Sequence, residues 1–353
     1  MDLSIAAILA QDGITSGAIY ALLALGLVLV FSVTRVILIP QGEFVSYGAL
    51  TLAAIQAQKF PSTCWLLVAL GLASFVVELA SMFGQRAVGQ SRKRILWGAV
   101  LRDVAFPLAV CGLVHLLASR ADLPLWAQIA LTLLIVVPIG PYLYRLAFER
   151  IAQASTLVLL IVAVAAHLAL VGLGLLMFGA EGSRTTSLTD ANFSLGGALT
   201  VSGQSLSVVV TALVMIVALY LFFGRTLTGK ALRATSISRL GAQLVGIAPA
   251  KAGRIAFTLA AALGVLSGVL VSPLTTLYYD GGFLIGLKGF VGAIIGGLVS
   301  YPAAAAGALL VGLLESYASF WASAYKEVIV FALIVPVLLW RSLSSAPVEE
   351  TDE

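Results

Sequence analysis

Charged residues are scarce in this chain: they make up 10% of its 353 residues, whereas hydrophobic residues make up 61%. An ordinary soluble domain has about 25% charged residues, because its surface must face water. This chain has too few charges to cover such a surface, and its apolar runs leave no room for a separate soluble domain. The composition therefore predicts an all-α, polytopic transmembrane helix bundle that forms one domain over residues 1–353.

Histidine and cysteine are also rare, with two residues of each. Cys64 and Cys111 lie in apolar stretches, without the spacing of a disulfide framework or a zinc site. A metal site needs several converging ligands, and a membrane enzyme needs a cluster of acid, base or nucleophile. The polar side chains are too scattered for either, so we predict no catalytic residues, no metal and no cofactor bound by this chain.

A site for ATP is missing, although one segment imitates it. Residues 224–231 match the G-x4-G-K spacing of a phosphate-binding loop, but Ala231 stands where a Ser or Thr must hold magnesium. The preceding segment is a membrane span rather than a buried strand. The chain also lacks a basic surface with interleaved aromatic residues, which argues against nucleic acid as a partner. If ATP drives this protein, the ATPase must be another chain.

What remains is a series of apolar segments, and a membrane span needs about 20 apolar residues. Pro124, Pro138 and Pro141 predict a kink in the fifth segment, and glycines with Tyr301 and Pro302 predict a break in the ninth. Together the segments predict about 8–10 spans. They cover residues 14–33, 44–58, 60–77, 104–119, 123–144, 155–180, 205–224, 255–279, 289–314 and 328–340.

Glycine is abundant, at 34 residues, and many glycines lie inside these apolar segments. Small residues four positions apart let helix backbones approach closely within a membrane. We therefore expect a tightly packed bundle, with close contacts at the pairs Gly13/Gly17, Gly264/Gly268, Gly282/Gly286 and Gly292/Gly296.

Two loops, residues 84–102 and 225–254, contain several Lys and Arg residues and no acid. Basic residues beside spans concentrate on the cytoplasmic side, so both loops are predicted to be cytoplasmic. Residues 181–204 hold few charges and are predicted to face the opposite side, where they offer a docking surface. The acidic tail, residues 346–353, is predicted to be a solvated end.

The second basic loop contains a short amphipathic pattern. Good helix formers predict one helix over Ala231–Val245, ending at Gly246 as a C-cap. Ile237, Leu240 and Leu244 form an apolar stripe along it. Such a helix can lie on the membrane surface, pack under the bundle, or serve as a rigid peg for a groove on a partner, and the pattern alone leaves these alternatives open.

The order of several segments resembles the branched-chain amino acid ABC permease family, and the LivH type more than its LivM-type partner. The loop sequence GKALRA at 229–234 precedes QLVGI at 243–247 and RIAFTLAAALGVLSGVL at 254–270. The first span, GITSGAIYALLALGLVLVFSVTRV at 13–36, the glycine-rich stretch at 286–315 and the last span at 325–341 also fit the family. The resemblance covers most of the chain outside about residues 60–125, which hold about two extra spans.

The resemblance implies a permease subunit of an importer in the bacterial inner membrane, where the chain contacts membrane lipid. Its expected partners are a second permease, two ATP-binding subunits that hold ATP and magnesium, and a periplasmic substrate-binding protein. The second basic loop, residues 225–254, becomes the cytoplasmic coupling loop that ATPases push. Its coupling residues are expected to be Gly229, Lys230, Arg233, Ala234, Arg239, Leu244 and Gly246.

Charges and glycines at membrane depth are candidates for the translocation path, because buried ionisable groups are costly and usually face the bundle interior. The candidates are Gly42, Glu43, Lys288, Gly296 and Gly297; snorkelling at an interface, or close packing, is the alternative for each. Residues 38–43 read LIPQGE where the family usually reads NFAHGE, so Gly42 and Glu43 persist while the Asn and His do not. His167 is predicted to be a helix-packing residue.

Two questions of function stay open at this point. An ion-coupled secondary transporter of a small polar solute is the alternative to an ATP-driven importer, and it would show inverted repeats with paired interrupted helices. Within the family, branched-chain amino acids are the expected substrate, with urea or short amides as the alternative.

Overall fold

The regular structure is helical apart from one short hairpin, in a computed structural model that describes residues 3–84, 96–118, 123–194 and 200–344. The acidic tail and most of the first basic loop lie outside the described residues. The elements are α1 (Leu3–Thr34), α2 (Gln41–Gln56), α3 (Thr63–Gly84), α4 (Leu96–Ala118), α5 (Leu125–Ile151), α6 (Thr156–Phe178), β1 (Asn192–Ser194), β2 (Thr200–Ser202), α7 (Gly203–Arg225), α8 (Leu227–Ile237), α9 (Arg239–Leu244), α10 (Pro249–Val271), α11 (Gly281–Ile295), α12 (Tyr301–Trp321), α13 (Lys326–Ala332) and α14 (Ile334–Ser344).

Nine helical segments of the described ranges are long and apolar enough to cross a membrane. The last of them, Ser323–Trp340, joins a short turn to α13 and most of α14. Helix α11 is apolar but has only 15 residues. These findings confirm the prediction of an all-α bundle with about 8–10 spans.

Helix α1 is the centre of the bundle and is surrounded by α10, α11 and α12. Glycines bring the helix backbones into contact there, because a side chain would not fit between them. A Cβ on Gly13 would lie 2.8 Å from Leu313 Cα, and one on Gly17 would lie 2.9 Å from Leu309 Cα. A Cβ on Gly268 of α10 would collide with the carbonyl oxygen of Val45 in α2. The predicted close packing at glycine pairs is confirmed at these contacts.

Helices α3 and α4 form a peripheral pair within residues 60–125, where the sequence predicts about two extra spans. Four charged side chains hold them to α5: Arg145 donates to Asp103 at 2.6 Å and also pairs with Glu78, while Arg102 reaches Glu78 at 2.5 Å and Asp103 at 2.8 Å. Asp103 is fully buried. Glu78 is therefore part of an ion-pair cluster that joins α3 to α4 and α5.

Proline and glycine set the breaks within the longer apolar segments. Helix α5 is interrupted beside Pro138, where the sequence predicts a kink. The predicted ninth segment is two helices, since Gly297 adopts a left-handed φ of +69° after the end of α11. The predicted span over 255–279 is too long, because helix α10 ends at Val271 and the chain then forms a loop.

That loop is bonded to the segment that follows α6, on the side of the bundle away from α8 and α9. Ser183 and Leu277 exchange backbone hydrogen bonds of 2.9 and 3.0 Å, and Arg184 donates to the carbonyl of Pro273 at 2.7 Å. Gln204 donates to the carbonyl of Leu270 at 2.9 Å. The described parts of this segment, residues 181–194 and 200–204, therefore lie at the ends of central helices, on the side predicted to be opposite the basic loops.

Candidate functional site

The second basic loop forms two helices rather than the single predicted helix over Ala231–Val245, so that prediction is wrong. Ser238 interrupts it, because the Ser238 hydroxyl accepts the backbone N–H of Gly241 at 3.0 Å and thereby starts α9. Thr226 starts α8 in the same way, accepting from Gly229 at 2.9 Å. Serine and threonine are preferred N-caps, so both breaks had a signal in the sequence.

Two glycines fix the course of this segment. Gly246 follows α9 with a φ of +84°, a conformation that glycine adopts without strain, which matches the predicted C-cap. Gly229 packs so closely on the end of α7 that a Cβ would collide with the carbonyl oxygen of Phe222. Helix α8 therefore turns back directly beneath the span that precedes it.

The segment exposes an unusual amount of apolar surface for a region outside the spans. The exposed side chains come from both helices and their ends: Leu227 (86% exposed), Ile237 (80%), Leu240 (69%), Leu244 (81%) and Val245 (74%). Lys230 and Arg233 are also exposed, while Ala234 is half-buried. Exposed apolar clusters of this kind mark interaction surfaces.

Arg239 is the link between this segment and the bundle. Its guanidinium donates to the carbonyl of Ala152 at 2.8 Å, just after α5, and to that of Val33 at 3.2 Å, near the end of α1. Burial lowers the pKa of Arg239, and repulsion by Arg35 adds to the shift. Movement of α9 is thus tied to two spans through one side chain.

A second candidate region lies where α2 begins inside the bundle. Residues 35–40 are not helical, and Gln41 then donates to the carbonyl of Ala260, the central residue of α10, at 3.0 Å. Gly42 packs against the first turn of α11, where its Cβ would lie 2.7 Å from Phe283 Cα. Ser46 accepts the N–H of Gly282 at 2.8 Å. The N-terminal turns of two short helices therefore meet in the interior.

Glu43 lies at this junction and is 1% exposed. One carboxylate oxygen is 2.7 Å from His167 Nδ1 of α6, and the other has no hydrogen-bond partner among the described residues. The His167 ring stacks on Phe283 at a centroid distance of 4.3 Å. His167 packs between helices, as the sequence predicts, but its hydrogen bond with Glu43 is not indicated by the sequence, because the two residues are 124 positions apart.

Lys288 does not join this junction but forms a separate buried network. Its ammonium donates to Glu315 at 2.6 Å and to Glu327 at 3.1 Å. Tyr20 of α1 donates to the other oxygen of Glu315 at 2.5 Å. The network ties α11 to α1, α12 and α13, and each member was visible in the sequence as a polar group in or beside an apolar stretch.

Gly296 and Gly297 are also remote from Glu43 in the fold. A Cβ on Gly296 would lie 2.6 Å from Ala304 Cα, so this glycine permits the contact between α11 and α12. Gly297 supplies the left-handed turn between them. Of the five predicted path residues, Gly42 and Glu43 lie at the start of α2, Gly296 and Gly297 lie just after α11, and Lys288 lies in the ion-pair network. A role of these residues in the path stays a prediction.

Within the described ranges, no group of three or more His, Cys, Asp and Glu side chains is arranged to hold a metal ion. The polar junction at Glu43 is a set of hydrogen-bond donors and acceptors. It contains a carboxylate, an imidazole, a hydroxyl and the backbone N–H groups of two helix starts.

Comparison with known proteins identifies the family. The family described as "Branched-chain amino acid transport system / permease component" matches residues 104–338, about two thirds of the chain. The high-affinity branched-chain amino acid transport system permease protein BraD of Pseudomonas aeruginosa is 30% identical over 245 residues, which cover 67% of this chain and 79% of BraD.

The corresponding LivH permease proteins of Salmonella typhimurium and Escherichia coli K12 are each 26% identical over 339 residues, or 93% of this chain and 91% of LivH. No solved structure matches the chain. The family match, the relatives and the bundle of spans agree with the resemblance seen in the sequence. The chain belongs to the branched-chain amino acid transport permease family and is a multi-pass, non-catalytic permease component of an ABC transport system in the bacterial inner membrane.

Proposed function

We propose that this permease imports leucine, isoleucine and valine through a path at the α2–α11 junction, and that separate ATPases drive it through α8 and α9. The complete importer would contain a second permease, two ATP-binding subunits that hold ATP and magnesium, and a periplasmic binding protein. The observation that carries the proposal is the apolar surface of α8 and α9, which is exposed on one side and anchored to the bundle on the other.

The exposed side supports docking of an ATPase. Apolar side chains beyond the end of a span would gain by entering a groove, since their removal from water contributes about 25 cal/mol per Å². Ile237, Leu240 and Leu244 supply such anchors, and the nearby Lys230 and Arg233 add positive charge at the rim. Their exposure argues against packing under the bundle, and of the two alternatives that remain, the membrane surface and the peg, the proposal takes the peg.

The anchored side supports transmission of movement. Arg239 is bonded to the ends of α5 and α1, and Gly229 abuts the end of α7. When the ATPases close on ATP, a push on α9 reaches these helices without passing through flexible chain. ATP binding would then favour one of two conformations of the path, which is what an energy source must do to drive transport.

The α2–α11 junction supports recognition of a zwitterion. Helix N-termini carry partial positive charge and attract the carboxylate of a substrate, as broken helices do in many transporters. The free oxygen of Glu43 offers a partner for the substrate's ammonium group. Urea and short amides lack the ammonium group, so an ionised Glu43 favours amino acids over these alternatives.

The surface formed by residues 181–194 and 200–204 is the proposed docking site for the binding protein. Its hydrogen bonds to Leu270, Pro273 and Leu277 join it to the end of α10 and to the loop between α10 and α11. Arrival of the binding protein on one side and closure of the ATPases on the other would act on the same central helices.

A pair of variants on α9 tests the ATPase interface. Leu244→Glu introduces a charge into the apolar surface, and Gln243→Glu introduces the same charge at the adjacent exposed position. We expect Leu244→Glu to reduce co-purification of the ATPases from membranes by at least about tenfold, since a charge without a partner is costly to bury. Gln243→Glu is expected to retain them.

Both variants need the same amount of permease in the membrane fraction, measured by immunoblot. If Leu244→Glu retained the ATPases at the wild-type ratio, the apolar surface of α9 would not be their docking site. If both variants lost them equally, charge rather than apolar contact would govern the interaction.

A further inference from the structure

A large pocket lies beside α8, at the ends of α1, α7 and α12. Its volume is about 770 Å³, and most of its lining is apolar, with side chains such as Leu25, Leu219, Phe223 and Ala305. The substrate path proposed above does not use it, since the α2–α11 junction contributes none of its lining residues. Arg233 and Ile237 of α8 line the pocket and also belong to the proposed ATPase-docking surface.

The rim of the pocket is positively charged. Arg35 and Arg233 belong to its lining, which contains no Asp or Glu. Neither guanidinium forms an ion pair within the part of the chain that the structure describes. Arg239 stands near enough to Arg35 to be affected by its charge. Three cations without a local counter-ion favour an anionic occupant.

The position of the pocket identifies the kind of anion. Tyr220, which is 78% exposed, lies five residues before the end of α7, and Tyr301 begins α12. Tyrosine is enriched where a span meets the membrane surface. The pocket is thus at the level of lipid headgroups, on the side where the basic loops lie. The cytoplasmic leaflet is rich in anionic lipid, and basic pockets between spans bind such headgroups.

Two other occupants fit less well. A branched-chain amino acid is far smaller than the pocket and carries an ammonium group, for which the lining offers no carboxylate. The acidic tail at residues 346–353 would suit the arginines, but a polar segment would leave the apolar interior of the pocket unfilled. A phospholipid supplies both parts, an anionic headgroup and an acyl chain.

We infer that this pocket binds an anionic phospholipid, with the headgroup phosphate on Arg35 and Arg233 and one acyl chain among Leu25, Leu219 and Phe223. The bound lipid bridges α1 and α8, because Arg35 follows α1 and Arg233 lies in α8. It would therefore fix the coupling helix to the bundle at a second point, beside the Arg239 anchor.

Native mass spectrometry of the purified, assembled importer tests this inference. The complex is equilibrated with phosphatidylglycerol or with phosphatidylcholine of the same acyl chains, and the retained lipid is counted. Wild type is expected to retain one phosphatidylglycerol in preference to phosphatidylcholine. Arg35→Gln is expected to weaken that binding about fivefold, the effect of one basic residue near an anionic lipid.

Two further variants test separately whether binding depends on the arginines of the pocket and on its apolar volume. Arg150→Gln removes another exposed arginine, outside the pocket, and is expected to leave lipid binding unchanged. Ala305→Trp keeps all charges but fills the apolar interior, and it is expected to reduce retention by a similar factor to Arg35→Gln. Size-exclusion profiles confirm that each complex is assembled.

Several results would overturn the inference. Equal retention of the two lipids, or equal loss in Arg35→Gln and Arg150→Gln, would show that no specific site exists. Appearance of lipid binding only after deletion of residues 346–353 would identify the tail as the occupant. Retention of leucine that Ala305→Trp abolishes would identify the pocket as part of the substrate path.

Discussion

The central helix α1 and the peripheral pair α3–α4 have similar apolar composition but are held in place by different means. Their mean hydropathies are 2.3 for α1, 2.0 for α3 and 1.8 for α4, whereas the buried share of these spans is 83%, 33% and 22%. Glycine contacts fix α1, and an ion-pair cluster fixes α3 and α4 to α5. Hydropathy therefore identifies a span without indicating its position in the bundle.

The difference in how these helices are held follows from the lipid that surrounds the spans. Lipid tails are as apolar as leucine, so burying a leucine against another helix gains little inside a membrane. Close backbone contact at glycines and satisfied charges remain as sources of stability and specificity. The interior relies mainly on glycine contacts, which bring the short helices α2 and α11 together at Gly42, and adds the Lys288 network. The periphery has a close glycine contact between α3 and α4 at Gly71, but satisfied charges hold the pair to α5.

The strongest way to break this comparison is to add a side chain at an interior glycine. Gly268→Val would place a Cβ against the Val45 carbonyl, where neither backbone can move without separating α10 from α2. We expect loss of folded protein, read as aggregation in fluorescence-detected size exclusion. Gly172→Val in α6, where a Cβ meets nothing within 4 Å, should remain monodisperse. Equal behaviour of the two variants would contradict the account of the interior.

The next largest effect is expected in the peripheral cluster. Asp103→Leu leaves the buried Arg145 with one carboxylate instead of two, and breaking a buried pair in this way costs about 3–5 kcal/mol. We expect a clear fall in the Tm of the purified protein. Glu149→Gln weakens a more exposed pair with Arg254 and should lower the Tm much less.

A fall in Tm for Glu149→Gln as large as that for Asp103→Leu would mean that burial does not set the strength of these pairs.

Substrate recognition is expected to depend on residues in the interior of the bundle. Glu43→Gln removes the proposed partner of the substrate ammonium, and a hydrogen bond to a charged group contributes about 1.5–3 kcal/mol. We expect leucine uptake to fall by at least about tenfold at a normal membrane level of the protein. Glu149→Gln, the same change outside the path, should keep uptake within about twofold of wild type. Normal uptake by Glu43→Gln would exclude this residue from recognition.

The smallest expected effect concerns the end of α9. Gly246→Ala forces alanine into a left-handed conformation, which costs about 1 kcal/mol. We expect faster hydrogen exchange over residues 239–247 and little change in Tm. Gly224→Ala, a matched change where a Cβ meets nothing within 4 Å, should leave that exchange unaltered. Unchanged exchange in Gly246→Ala would show that the turn does not depend on glycine.

Much of this architecture could be predicted from local sequence. Apolar runs predicted the spans, Pro138 predicted a kink in α5 and Gly246 predicted the end of α9. Each of these features depends on residues close together in the sequence. Glycine pairs predicted close packing, but their partners could not be predicted. Serine is a preferred N-cap, so the break at Ser238 could have been predicted. The good helix formers on both sides of Ser238 favoured one continuous helix instead.

The candidate site was less predictable, because its contacts join distant parts of the chain. Glu43 and His167 are 124 residues apart, and the sequence carries no signal that pairs them. Lys288 looked equivalent to Glu43 in the sequence, since both are charges beside glycine in apolar segments. Only the fold distinguishes the two residues. Lys288 has two carboxylate partners, whereas one oxygen of Glu43 has no hydrogen-bond partner among the described residues.

The central claim is that separate ATPases drive this permease through α8 and α9. The most direct test is leucine uptake by proteoliposomes that contain the assembled importer and its binding protein. The account predicts uptake that requires ATP on the ATPase side and is lost in Leu244→Glu. Uptake by the permease alone, driven by a sodium or proton gradient without the ATPases, would contradict it.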